Sequence, residues 1–205
     1  MKRVLLVNPP DTRPLKMSAD KVRIGLVAPI GLAYIAAVLE QDNVEVQILD
    51  CLDGQMEGVK TTWGIRYGLT DDEIYQRIES FNPDIVGVSC LFSNKSYDAH
   101  NVCQIAKSVR INIMTIMGGV HPTALMEETL DDFWVDQVCP GEGELWMREA
   151  VRMFPLKSEH ILPLVSLDLL PLPARHLLNM PLYMNTKSTH SGVKRWPVGT
   201  IMSSR

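Results

Sequence analysis

Glycine pairs and acidic turns follow several apolar runs of this 205-residue chain, at places where a bound molecule could approach the backbone. Gly118 and Gly119 end one run, and the absence of two side chains there lets a flat or elongated ligand lie against the chain. Another run is followed by Gly141-Glu142-Gly143-Glu144, where a carboxylate suits the first turn of a helix. Taken singly, each motif is also typical of an ordinary turn between a strand and a helix. Whether the motifs form a ligand site therefore depends on how the fold arranges them.

Histidine and cysteine, the residues most used to hold metal ions, show no ligand spacing in this sequence. His121 precedes Pro122 in a loop, which is typical of a hydrogen-bonding turn residue, although a role as ligand or acid stays open. The cysteines are too far apart for a CxxC or CxxxCxxC motif. We therefore expect a reducing compartment, with no metal site and no catalytic residue in this chain. The expected free thiols are Cys51, Cys90, Cys103 and Cys139.

Five apolar runs alternate with stretches of helical spacing, which predicts a β-α unit repeated five times. Thr70 and Glu73 form the pattern of a capping box at the start of the second helix, and Thr123 is expected to cap the fourth. The five predicted strands lie at residues 4–7, 44–49, 85–92, 113–117 and 135–139.

The pattern of apolar and polar residues within each run predicts the order of the strands in the sheet. The second run alternates apolar with polar residues and the fifth is mixed, as at the edges of a sheet, whereas the other three are nearly continuous. This predicts an α/β fold with a doubly wound five-stranded parallel sheet, flavodoxin-like and Rossmann-like, in the order 2-1-3-4-5. The order reverses between strands one and three, so we expect a ligand near residues 8–11 and 89–94.

The alternation stops near residue 154, which predicts one α/β domain over residues 1–154. An extended, proline-rich linker is expected over residues 155–205, with a short helical turn at 174–178. Residues 53–67 carry several glycines and Trp63, and we expect a surface loop that is either plain or able to cover a ligand.

Charge and missing motifs exclude several function classes. The net charge is −4 and the pI is about 5.7, so no basic field exists for nucleic acid or an anionic membrane. The uncharged stretches are shorter than the roughly 18–20 residues of a membrane span, and no signal peptide is recognised, so a cytoplasmic location is expected. No GxGxxG motif follows the first strand, which disfavours a dinucleotide-binding fold. Ser89 and Cys90 stand where a phosphate-receiver domain needs an aspartate, which disfavours that class too. Two prolines after that strand disfavour flavin without excluding it.

Six segments in register resemble a known family. They read VLLVNPP, PIGLAYIAAVLE, VEVQILD, PDIVGVSCLFS, IMGGVHPT and GEGE, and they are similar to the amino-terminal cobalamin-binding domain of class B radical SAM enzymes. The later segments LDLLPLPARHLL and WPVGTIMSSR resemble the interdomain linker and the first barrel strand of that family. The CxxxCxxC loop that follows in the family is not reached, so the resemblance implies a fragment without the radical SAM barrel.

The resemblance implies a corrin across the carboxyl ends of the strands, with its nucleotide tail at the switch point. Ser89 and Leu91 match the SxL element, and Gly118 and Gly119 match the GG element beside the tail. The DxHxxG motif is missing after the first strand, so cobalamin is expected base-off and histidine-off. The expected cofactor-binding residues are Asn8, Pro9, Pro10, Ser89, Leu91, Phe92, Gly118, Gly119, His121, Pro122, Gly141, Glu142 and Gly143.

As a function, the resemblance implies the cobalamin-binding domain of a radical SAM methyltransferase or cyclase. The [4Fe-4S] cluster and S-adenosylmethionine belong only to the full-length parent, so this chain alone is not expected to perform radical chemistry. Two alternatives stay open: a non-catalytic interaction domain that has lost its corrinoid, and a flavin or nucleotide module.

Overall fold

A five-stranded parallel sheet forms the centre of the computed structural model, which describes residues 1–14, 26–52, 57–153 and 167–185. With elements numbered in chain order, the sheet has the order β3-β1-β6-β7-β8. This is the predicted order 2-1-3-4-5, with the predicted edges, so the fold class is confirmed. The strands are β1 Arg3–Asn8, β3 Glu45–Asp50, β6 Ile85–Ser89, β7 Met114–Gly118 and β8 Gln137–Cys139.

Helices cover both faces of this sheet, as a doubly wound fold requires. On one face, Leu6 and Ile116 pack in a cluster with the fully buried Trp146. On the other face, Val86 and Val88 pack with residues of two further helices. The first face carries α1 Ile30–Gln41 and α6 Gly143–Arg152, and the second carries α2 Asp71–Phe81 and α3 Ser96–Val109.

The predicted capping box is confirmed, but the predicted fourth helix differs. Thr70 Oγ1 accepts a hydrogen bond from Glu73 N, and Glu73 Oε2 accepts one from Thr70 N at 2.8 Å. Thr123 lies inside a helix, where its hydroxyl donates to Gly119 O at 2.7 Å, so the expected cap is wrong. The helix begins directly after the glycine pair and is interrupted at Leu125, giving α4 Val120–Ala124 and α5 Met126–Leu130.

A second, antiparallel sheet corrects the prediction of a loop at residues 53–67. It has the order β2-β5-β4 and consists of β2 Asp11–Pro14, β4 Val59–Lys60 and β5 Gly64–Tyr67. Ile65 and Tyr67 are buried, which explains why this stretch is not a plain surface loop. A Cβ on Gly64 would lie only 2.1 Å from Arg13 O, so the close approach of β5 to β2 requires glycine there. Residues 53–56 lie outside the described part of the chain.

The segment at residues 167–185 folds back onto the sheet domain. Ala174 N donates to Ala33 O at 2.9 Å, and Tyr183 is buried in an apolar cluster with Leu26 and Leu52. The predicted helical turn at 174–178 is confirmed as a 3-10 turn at Arg175–Leu177, and α7 Met180–Asn185 follows. The predicted structure at residues 154–166 and 186–205 lies outside the described residues. Among the helices described, none is long and apolar enough to span a bilayer.

Candidate functional site

A cavity of about 1200 Å³ opens at the carboxyl ends of the parallel strands. It lies at β1 and β6, where the strand order reverses and where ligands bind in folds of this kind. Small-molecule pockets have volumes of roughly 300–1,000 Å³, so the cavity suits a ligand larger than a typical metabolite.

The cavity extends inward between the sheet and the helices α1 and α6. Successive residues of a strand point to opposite faces, so every second residue of the central strands reaches this layer. Ile35 of α1 and Met147 of α6 form the opposite wall. We call this inner part the slot. Its sheet side is formed by Leu6 and Asn8 of β1, Gly87 and Ser89 of β6, and Ile116 and Gly118 of β7.

Two glycines lie on the sheet side of the slot. A Cβ on Gly87, in the middle of a central strand, would lie 3.0 Å from Leu6 Cδ2 and 3.5 Å from Met147 Cε. A Cβ on Gly118 would make only an ordinary contact, at 3.4 Å from Cys139 Cβ. The backbone therefore does not require glycine at position 118, and Gly118 lines the cavity without a side chain.

Two other glycines at the site have structural explanations. Gly119 has φ +118°, and a Cβ there would lie 2.6 Å from Cys90 O. A Cβ on Gly143 would lie 2.7 Å from Ile35 Cδ1, so this glycine lets the start of α6 approach α1. Both glycines line the cavity, but their residue type is explained by backbone conformation and helix packing.

The structure brings most of the predicted site residues to the cavity. Pro9, Pro10, His121 and Pro122 are buried beside it and do not line it. The His121 side chain bonds through Nδ1 to Ser93 Oγ at 3.0 Å, and its backbone N donates to Cys90 O. The predicted residues that do line the cavity are Asn8, Ser89, Leu91, Phe92, Gly118, Gly119, Gly141, Glu142 and Gly143.

A charged group at the cavity was missed by the sequence analysis. Arg13 Nη2 lies 3.0 Å from Asp11 Oδ2, and Lys95 Nζ lies 3.9 Å from the same oxygen. The Asp11 side chain is buried, and two cations share its one carboxylate, so the group adds positive charge to the cavity wall. Pairing of β2 with β5 places Arg13 here, and no local sequence pattern indicates that pairing.

An apolar rim surrounds the mouth of the cavity. Its large side chains are about half to two-thirds exposed, although apolar residues of this size are usually covered. The stretch that leads into α1 contributes Val27 to the rim and was also missed as a site, because the motif PIGLAYIAAVLE begins only at Pro29. The rim residues are Val27, Leu91, Phe92 and Val120.

The ionisable groups at the cavity point to binding rather than to nucleophilic chemistry. Burial raises the pKa of the Cys139 thiol, which lines the cavity, to about 12, and that of Cys90 to about 11. Burial also raises the pKa of Asp98, against the effect of two hydrogen bonds from Thr12. Within the described ranges, no group of three or more His, Cys, Asp or Glu side chains is arranged to hold a metal ion.

Comparison with known proteins finds one family and several relatives. The family described as the B12 binding domain matches residues 22–151. Cytidylyl-2-hydroxyethylphosphonate methyltransferase of Streptomyces wedmorensis is 38% identical over 71% of this chain and 28% of its own length. Anaerobic magnesium-protoporphyrin IX monomethyl ester cyclase of Rubrivivax gelatinosus is 36% identical over 60% of this chain and 20% of its own length. The chain therefore spans less than a third of either relative.

Among solved structures, a cobalamin-binding protein from Desulfitobacterium hafniense DCB-2 superposes with a TM-score of 0.47 at 16% identity. The match covers 74% of this chain and 58% of that protein.

Proposed function

The chain belongs to the B12-binding domain family, and from this premise we propose that its cavity binds cobalamin. The nucleotide tail would occupy the slot between the sheet and helices α1 and α6, and the corrin would lie across the apolar rim. The observation that carries this proposal is the slot itself, whose sheet side carries glycine at positions 87 and 118.

The residues present fit such a group in shape and polarity. A slot with a glycine on each of two central strands suits an elongated extension, and an exposed apolar rim suits a broad, flat body. Arg13 and Lys95 add positive charge on one side of the cavity, which suits the phosphodiester that joins the tail to the corrin. The volume exceeds what a small metabolite needs.

We propose that the bound cobalamin is base-off and histidine-off. Among the described residues that line the cavity there is no histidine, and the nearby His121 ring is buried and bonded to Ser93. The loop after β1 reads Asn8-Pro9-Pro10-Asp11 and offers no imidazole. A spectrum that shows imidazole coordination to cobalt would contradict this.

We further propose that the chain is the cofactor domain of a larger methyltransferase or cyclase with a radical SAM barrel. The support is identity of 36–38% to relatives with methyltransferase and cyclase names, of which the chain spans 20–28%. When bound, methylcobalamin supplies a transferable methyl group. The residues of this chain bind and orient the cofactor and exclude water at the rim. The four cysteines form no CxxxCxxC motif, so the chain alone is not expected to cleave S-adenosylmethionine to 5′-deoxyadenosine.

The direct test is a visible-absorbance titration of the purified chain with hydroxocobalamin, followed by gel filtration to remove unbound corrinoid. Stoichiometric retention with a base-off spectrum is expected. Failure to retain the corrinoid would overturn the proposal and favour a non-catalytic interaction domain of the same fold. A yellow chromophore that copurifies with the chain would favour a flavin module instead.

A matched pair of variants tests whether the tail occupies the slot. Gly118→Leu fills the slot from a position that tolerates a side chain, and we expect roughly 10- to 100-fold weaker binding of hydroxocobalamin. Gly118→Ala adds only the tolerated Cβ and should bind nearly as the wild type does. Thermal melts establish that both variants fold. Equal affinity of the leucine variant would show that the tail lies elsewhere.

A further inference from the structure

A buried hydrogen-bond network connects α7 to the mouth of the cavity. Asn8 and Asp50 are opposite each other at the carboxyl ends of β1 and β3. Asn8 Nδ2 donates to Asp50 Oδ1 at 2.8 Å, and Leu52 N donates to the same oxygen at 3.0 Å. From α7, Tyr183 Oη donates to Asp50 Oδ2 at 2.5 Å. Asp50 and Tyr183 are each only 7% exposed, so water competes little for these bonds.

This network fixes which way the Asn8 side-chain amide faces. A carboxylate accepts hydrogen bonds and an amide nitrogen donates them, so the NH₂ group of Asn8 must face Asp50. The amide oxygen is then directed away from β3. Among the described residues, none donates a hydrogen bond to Asn8 Oδ1, and Asn8 lines the cavity. The site therefore holds a hydrogen-bond acceptor in a set orientation.

We propose that Asp50 and Tyr183 are positioning residues that hold Asn8 as the acceptor for an N–H donor of the ligand. On the proposed function, on which this inference rests, the donor is a carboxamide of the corrin periphery. The α7 segment thereby contributes to ligand affinity through Asn8 without lining the cavity, since neither Tyr183 nor Asp50 is among the residues that line it. Ligand binding and the docking of α7 are consequently coupled, and each strengthens the other.

A double-mutant cycle separates positioning from general stability. The affinity for hydroxocobalamin is measured for the wild type, Asn8→Ala, Tyr183→Phe and the double variant. Tyr183→Phe keeps the buried ring and removes the hydroxyl that donates to Asp50. Each single variant should bind about three- to tenfold more weakly, which is the effect of one neutral hydrogen bond. The double variant should match Asn8→Ala, because the hydroxyl acts only through Asn8.

The control variant is Tyr75→Phe, on α2 at the opposite face of the sheet, where loss of the hydroxyl of this partly buried residue should not affect affinity. A second measurement needs no ligand. The Leu52 amide donates to Asp50, so Tyr183→Phe should speed hydrogen exchange at Leu52 and leave the exchange of the central strands unchanged.

The outcomes separate this inference from the proposed function. If the wild type retains hydroxocobalamin but Tyr183→Phe binds it equally well, the inference is overturned and the proposed function stands. Losses that multiply in the double variant would also overturn it, because they show independent effects. If the wild type retains no hydroxocobalamin, both fail together. Unchanged exchange at Leu52 would show that the tyrosine does not hold Asp50.

Discussion

Gly118 and Gly119 are neighbours in one motif, yet the structure predicts that alanine has opposite effects at the two positions. At Gly119 the backbone has φ +118° and ψ −176°, a region that only glycine populates readily. An added Cβ would lie 2.6 Å from Cys90 O and 2.9 Å from Cys90 C. At Gly118 the nearest atom to an added Cβ is Cys139 Cβ, at an ordinary 3.4 Å.

The expected magnitude for Gly119→Ala has two parts. Holding alanine in this backbone region costs about 1–3 kcal/mol. The Cys90 carbonyl must also move, although it accepts a hydrogen bond from His121 N at 3.2 Å, and weakening that bond costs about 1 kcal/mol. The free energy of unfolding should therefore fall by about 2–4 kcal/mol. Gly118→Ala restricts the unfolded chain without strain, so its unfolding free energy should rise by about 0.4–1 kcal/mol or stay unchanged.

Equilibrium urea denaturation, followed by far-UV circular dichroism, measures the difference. With a urea m-value of about 2 kcal/mol per molar, Gly119→Ala should unfold at about 1–2 M less urea than the wild type. The midpoint of Gly118→Ala should stay within about 0.5 M of the wild type. The same midpoint at the same m-value for the two variants would contradict this expectation, because backbone strain would then contribute nothing at Gly119.

Two further predictions concern ionisable groups. Hydrogen bonds from Arg148, and then from Arg152, lower the pKa of Asp42 from 3.8 to about 2. These ion pairs join the end of α1 to α6, and they add stability above about pH 4 that is lost as the pH falls toward 2. Asp42→Asn should lower the free energy of unfolding by about 0.5–1 kcal/mol at pH 7. Urea denaturation at several pH values should also show that the unfolding free energy of this variant depends less on acid pH. All four cysteines are buried, and burial raises the pKa values of Cys90 and Cys139 to about 11 and 12. Ellman's reagent at pH 8 should therefore label no cysteine in the native chain and all four in urea. Rapid labelling of the native chain would contradict this.

The order of the main sheet could be predicted because each strand carries its own evidence. A strand covered on both faces is apolar throughout, and an edge strand tolerates polar residues, so local composition reports position. The alternation of strands and helices, together with the right-handed crossovers, then allows few strand orders in the sheet. The position of the cavity followed from this order, since the switch point of a parallel sheet is fixed by topology.

The parts that were missed depend on contacts between distant segments. β2 pairs with β5 across some 50 positions, and both segments are short and punctuated by proline or glycine, so neither reads as a strand alone. Arg13 reaches the cavity only through that pairing. The bond between Tyr183 and Asp50 spans 133 positions, and no pattern within either segment indicates it. Gly87 belongs to a recognised motif, but the close packing that its missing Cβ allows involves Leu6 and Met147 of other elements.

The slot also has a consequence for the lifetime of the protein. Leu6, Ile116 and Met147 line the slot, so a molecule seated there packs against side chains of the core. Such a molecule binds the folded chain alone, and at 100 times its dissociation constant it adds about 2.7 kcal/mol to the free energy of unfolding. The folded fraction, and with it resistance to proteases, then rises and falls with the supply of that molecule. The cell would thus keep this protein in proportion to the ligand available to it.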